Sequence, residues 1–147
     1  LVTKKIRPAK NWELRINQQI PNIASTRRPD IVIVNHEIKK AAIVELTVCY
    51  EQGREAIHQA RMHKSHKYLR EKSMLEDLGY QVCLDALVFG SLGSSDSDNQ
   101  RVLRELGVRY RKPLKVLEEA IAVTALECSY AVWKKHTYNS AARNNRN

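Results

Sequence analysis

Pro29-Asp30-Ile31-Val32-Ile33-Val34 and, beyond the polar turn Asn35-His36-Glu37, Ala41-Ala42-Ile43-Val44-Glu45-Leu46-Thr47-Val48-Cys49-Tyr50 decide how this chain folds. Both runs are apolar on successive positions rather than alternate ones, the pattern of strands covered on both faces. Upstream, Trp12, Leu14 and Ile16 alternate with Glu13, Arg15 and Asn17, which predicts a strand with one wet face that stops before Pro21-Asn22. Downstream, residues 53–78 turn to helix formers. Ile57, Ala60, Lys64, Tyr68, Leu75 and Leu78 recur near helical spacing and Gly79 follows, so one long helix is expected. Residues 80–89 read as a fourth strand, and the Gly, Ser and Asp of 90–99 as a loop. Ser97 or Asp98 should cap a short helix that ends at Gly107. Over 114–133, Leu114, Leu117, Ile121, Ala125, Leu126, Cys128 and Val132 fall at mixed three and four spacing, which predicts an amphipathic helix packed on the body. The expected fold is therefore α/β: a mixed four-stranded sheet flanked by helices, with an added C-terminal helix. One domain over residues 1–138 would be followed by a flexible polar tail, 139–147.

At 147 residues the chain has the length of one domain, and 43% hydrophobic with 28% charged residues is enough to bury a core, which argues against global disorder. The longest apolar runs, 41–44 and 120–123, fall far short of the roughly 20 residues that span a bilayer, so no membrane helix is expected. Leu1-Val2-Thr3-Lys4-Lys5 lacks both Met and an apolar h-region, and reads as a domain cut from a longer protein rather than a signal peptide. Cys49, Cys83 and Cys128 are odd in number and contain no CxxC pair, which points to reduced thiols and away from a zinc ribbon. The net charge is +9, unevenly spread. Residues 1–29 carry seven basic and one acidic side chain and residues 108–147 eight and three, whereas residues 30–52 carry two and four. Basic flanks suit a polyanion, and an acidic island beside them suits a metal ion that reconciles carboxylates with phosphates.

Asp30 and Glu45 carry that expectation. Neighbouring strands could hold the two carboxylates side by side at the end of a sheet, where they repel one another unless a hard divalent cation lies between them. Such a metal polarises a phosphodiester and acidifies water, and a nearby Lys steadies the developing negative charge. Lys64, Lys67 and Tyr68 stand at i, i+3 and i+4, on one face of the helix that follows.

Pro29-Asp30 followed by Glu45-Leu46-Thr47 resembles the PD-(D/E)xK nuclease pattern, with Thr at position 47 where that pattern usually has Lys. In the restriction-like endonuclease domain of site-specific non-LTR retrotransposons the Lys is shifted to the following helix. This chain is similar there, offering Tyr50-Glu51, then Ala60, Lys64, Lys67 and Tyr68, then Gly79-Tyr80 and Gly90-Ser91-Leu92-Gly93. The resemblance implies a restriction-endonuclease-like core and a Mg²⁺- or Mn²⁺-dependent nickase of double-stranded DNA that primes reverse transcription in the nucleus. An upstream zinc knuckle and reverse transcriptase would accompany it. By the same resemblance Asp30 and Glu45 are metal ligands, with Glu13 as an extra acid and Glu51 as a weaker one. Lys64 or Lys67 is then base or stabiliser, and Tyr68 a supporting group.

Arg27 and Arg28, next to Asp30, are the expected phosphate contacts, with Lys4, Lys5, Arg7 and His63 as further candidates. Each residue also has a plainer reading. Asp30 could cap a strand, Glu45 could pair structurally with Arg28 or Lys40, and Lys64 and Lys67 could be a solvated face. Trp12 and Trp133 read as core aromatics. His63 and His66, at i and i+3, lack a third metal ligand. Neither a nucleophile elbow nor a phosphate-binding loop occurs. The rival readings are a Holliday-junction or repair-type nuclease and an inactive nucleic-acid-binding module of the same fold.

Overall fold

The computed structural model describes residue 6 and residues 10–50, 53–108 and 111–144, including the side chains of 115, 116 and 118–136 in the last helix. Lys4, Lys5, Arg7 and Glu51 lie outside the described residues. In chain order the elements are β1 (Glu13–Ile16), β2 (Ile31–Asn35), β3 (Lys40–Cys49), α1 (Arg54–His66), α2 (Leu69–Asp77), β4 (Gln81–Gly90), α3 (Asn99–Glu105) and α4 (Arg111–Asn144). The strands form one mixed sheet in the order β1-β2-β3-β4. β2 runs antiparallel to both its neighbours, β1 and β3, and β4 runs parallel to β3. A parallel pair needs a long crossover, and α1 and α2 supply it.

Both faces of β2 and β3 are covered. Val32, Val34, Ala41 and Ile43 pack with Tyr68 and Leu75 beneath the crossover helices. Ile31, Ile33, Ala42 and Val44 pack on the opposite face with Phe89, Leu103 and Ile121. Their unbroken apolar runs follow from this: Ile31 to Val34 and Ala41 to Val44 are buried throughout, and exposure on β3 returns at Leu46.

The expected single helix over 53–78 is two helices. Lys67 donates its amide to Lys64 O at 3.3 Å, a tightened turn, and Tyr68 adopts φ −113° before α2 begins. Tyr68 is pulled to 1% exposure beneath the break. The carbonyl of Lys67, released from the helix ladder, accepts from Arg27 Nη1 instead. Gly79 does end α2 as expected. At φ 82° it donates to Glu76 O, and Tyr80 donates to Leu75 O, the paired bonds that close a helix through a left-handed residue.

Two further expectations are corrected along α4. It continues to Asn144, past Trp133. Ile121 and Ala125 are buried on the body, yet Leu126, Cys128 and Val132 are exposed, and Trp133 is 60% exposed rather than a core aromatic. Trp12 does pack against the core, half-buried. Among the described residues no helix is long and apolar enough to cross a membrane.

Candidate functional site

Ile31 pairs with Val44 across the β2–β3 ladder, so Asp30, one residue earlier, falls opposite Glu45. The contacts follow that register. Asp30 donates its amide to Glu45 Oε1 at 3.3 Å, and its own Oδ2 accepts from the amide of Leu46 at 2.7 Å. Glu45 shares the side of β3 that Ile43 presents to the crossover helices, and is 2% exposed. A carboxylate buried so deeply needs a cation. Lys67 supplies it, with Nζ 3.1 Å from Glu45 Oε2, and Lys64 Nζ stands 4.0 Å from the same oxygen. The two ammoniums are themselves partly open to solvent. One buried carboxylate thus has two cations at its mouth, and no described residue hydrogen-bonds Asp30 Oδ1.

Tyr68 completes the wall, its ring 4.9 Å from Lys67 Nζ. The Tyr68 hydroxyl and the Glu45 carboxylate hold the Lys67 ammonium above the ordinary lysine pKa, against the opposing pull of partial burial. Burial pushes the Tyr68 phenol up, while Lys67 draws it down. Lys67 is therefore a cation at neutral pH and Tyr68 a neutral hydroxyl. On the α4 side of Asp30 a groove of about 430 Å³ opens, lined by Leu46, Val48, Phe89, Ile121 and Ala125.

Other expected site residues go elsewhere. Glu13 pairs with Val34, three ladder steps from the Ile16–Ile31 pair beside Asp30. At roughly 3.3 Å per residue that is about 10 Å or more, too far for a shared ion. Its carboxylate is bound to Arg15 at 2.6 Å and to His36 at 3.1 Å, and His36 Nδ1 meets the Tyr80 hydroxyl at 2.8 Å. Arg27 is only half exposed to solvent. Besides Lys67 O it faces the buried Glu71 at 3.6 Å, whose other oxygen accepts from Ser25 at 2.8 Å. Arg27 therefore braces the break that presents Lys67, while Arg28 and His63 are exposed. Glu45 pairs with neither Arg28 nor Lys40. Among the described residues no group of three or more His, Cys, Asp and Glu is placed to hold a metal ion.

A second ionic cluster was missed from the sequence. Arg61, on α1 and 6% exposed, donates to Asp85 Oδ1 at 2.6 Å, Asp96 Oδ2 at 2.8 Å, Ala86 O at 2.5 Å and Asn99 Oδ1 at 2.9 Å. Arg101 takes the other Asp85 oxygen at 2.6 Å. Asn99 also accepts from Val88 N at 2.9 Å and donates to Val88 O at 2.6 Å, in the manner of a neighbouring strand. β4 is an edge strand, and these side chains occupy the backbone groups that such an edge leaves open. Burial works to raise the Asp96 pKa, but the Asp98 amide and the Arg61 guanidinium outweigh it and hold the carboxyl below its ordinary value. The signal was available: Asp85 interrupts an apolar strand as Glu45 does.

Compared with known proteins, the chain matches no family model and no curated protein.

Proposed function

We propose that this chain is a metal-dependent DNA endonuclease domain of the PD-(D/E)xK class, cutting one strand of double-stranded DNA. One observation carries the reading: Asp30 and Glu45 meet across two strands, and Lys64 and Lys67 of the following helical segment converge on the buried carboxylate. The donor set suits Mg²⁺ or Mn²⁺, since hard cations of this size take one or two carboxylates and fill the remaining positions with waters and phosphate oxygens. Asp30 and Glu45 would hold the ion, and when bound it would polarise the scissile phosphate and acidify a water.

The residues of the chain divide the remaining work. Lys67, kept charged by Tyr68 and Glu45, suits electrostatic stabilisation of the phosphorane-like charge better than proton abstraction, which needs a neutral amine. Lys64 adds a second positive charge on the same side. Arg27 fixes the carbonyl at the root of the Lys67 side chain. Arg28 and His63 are exposed and would contact backbone phosphates, so affinity should fall steeply with salt. In this reading the domain serves a non-LTR retrotransposon in the nucleus, nicking the target beside an upstream reverse transcriptase and zinc knuckle.

Supercoiled plasmid nicking in Mg²⁺ tests it. Wild type should yield open circles, Asp30→Asn and Glu45→Gln should not, and all three should share one melting temperature to within a few degrees. Linear product from a dimeric enzyme would favour a junction or repair nuclease. DNA binding without metal-dependent cleavage would leave the binding-module reading.

A further inference from the structure

We propose that the outward face of α4 is a docking surface for a second copy of this chain, paired helix to helix and antiparallel. Val116, Val123, Leu126, Tyr130 and Trp133 are 55%, 54%, 46%, 60% and 60% exposed. After the first step of seven they follow one another at three and four residues, the repeat by which one helix pairs with another. With about 100° between successive residues they form one stripe, roughly 150° around the helix from Ile121 and Ala125, which hold α4 to the body. The helix thus has two apolar faces, one already used. From Val116 to Trp133 the open stripe runs about 25 Å at 1.5 Å per residue.

Area and shape select a second copy as the occupant. Five large side chains about half exposed offer on the order of 550 Å² per copy, so the pair would bury about 1,100 Å², above the roughly 1,000 Å² that separates specific interfaces from incidental ones. Residue sizes along the stripe run from small to large, with the valines toward the N-terminal end, Leu126 next, and the stacked pair Tyr130 and Trp133, centroids 5.9 Å apart, toward the C-terminal end. An antiparallel copy sets Val116 against Trp133 and Val123 against Leu126 and brings the exposed Glu119, which lies between the two valines on the same stripe, opposite Tyr130, whereas a parallel copy would crowd Trp133 on Trp133. Such a surface is self-complementary about a two-fold axis, as an isologous dimer requires. Two copies would carry two Asp30–Glu45 sites, one on each body.

Light scattering on the chain from about 1 to about 100 µM tests the idea, because that range spans the affinities expected of an interface this small. Wild type should pass from monomer to dimer mass. Leu126→Glu and Tyr130→Glu should each weaken association at least about tenfold, with circular dichroism and the melting temperature at the dilute, monomeric end unchanged because both positions face outward. Val116→Cys mixed with Trp133→Cys, in a Cys128→Ser background, should give an interchain disulfide that neither variant forms alone. A wild type that stays monomeric at the highest concentration overturns the proposal, as does a dimer indifferent to both Glu substitutions or a Val116→Cys chain that crosslinks to itself. Monomers whose DNA affinity drops on Tyr130→Glu would overturn it too and give the face to nucleic acid.

Discussion

Two ionic clusters sit on the same sheet and are built to opposite plans. Around Arg61 every charge is matched: two aspartates, an asparagine and a carbonyl surround one guanidinium, and a second arginine closes the remaining Asp85 oxygen. Around Glu45 the ledger of charge is left open. Two ammoniums face one buried carboxylate, both reach solvent, and Asp30 leaves one oxygen without a hydrogen bond from any described residue. A closed cluster holds a fold together, whereas an open one is placed to accept something else. Perturbed groups concentrate where chemistry happens, but a structural ion network perturbs them as well, so the openness discriminates and the burial does not.

Substitution should separate the two clusters. Arg61→Ala leaves the buried Asp85 with only Arg101 and the Ala86 amide and frees the Ala86 carbonyl on the β4 edge. A loss of about 3–5 kcal/mol in denaturant-measured stability is expected, the cost of stripping a buried ion pair of one member. A change below about 1 kcal/mol would mean that Arg101 and the Ala86 amide suffice to hold Asp85. Glu45→Gln should act the other way, lowering Mg²⁺-dependent nicking by about a thousandfold, or about 4 kcal/mol of transition-state stabilisation, with little change in melting. Its two lysines are open enough to return to water. If Glu45→Gln instead unfolds the chain and spares cutting in the folded fraction, the contrast between the clusters collapses.

Lys67→Ala should be milder, costing about a hundredfold in nicking, because Lys64 remains 4.0 Å from Glu45 and keeps part of the positive field. Lys67→Arg should recover some of that loss, since a stabiliser needs charge and a base needs a removable proton. An Arg variant as dead as the Ala variant would return Lys67 to the role of base.

The difference between the clusters also explains what the sequence could disclose. β2 and β3 were legible because each has a core on either side, which demands apolar residues at every position, and Glu45 stood out because nothing else in that run is charged. Asp85 stands in the same kind of run, so its burial was equally legible. Its partner was not: Arg61 lies in Arg54-Glu55-Ala56-Ile57-His58-Gln59-Ala60-Arg61, a stretch that reads as a solvated helix. A guanidinium that wraps a sheet edge leaves no periodic trace. The break at Lys67 and Tyr68 is hidden for a related reason. Helical propensity is good on both sides of it, and the groups that stabilise the break, Arg27 and Glu71, come from opposite sides of the sequence gap it bridges. Leu126, Val132 and Trp133 misled in the converse way, since helical spacing of apolar residues shows that a face exists without saying whether this chain covers it.

The smallest expected effect lies at the far end of the sheet. There Glu13 is tied to His36 and Arg15, and its hydrogen bond from His36, with help from Arg15 and against a partial desolvation cost, holds its carboxyl below the ordinary value. A carboxyl lowered on folding stabilises the folded state above its unfolded pKa, near 4.3, and loses that contribution as the pH drops through the folded value. Glu13 is more than one-third exposed, so screening by water reduces the contribution to at most about 0.5 kcal/mol. Glu13→Gln should therefore melt slightly below wild type at pH 7, and the two curves should converge once the pH is below the folded Glu13 value. Nicking should be unaffected, because Glu13 is three ladder steps removed from the pair beside Asp30. A Glu13→Gln enzyme that folds normally and fails to cut would place this acid in the metal site after all, and would require β1 to shift relative to β2 when DNA binds.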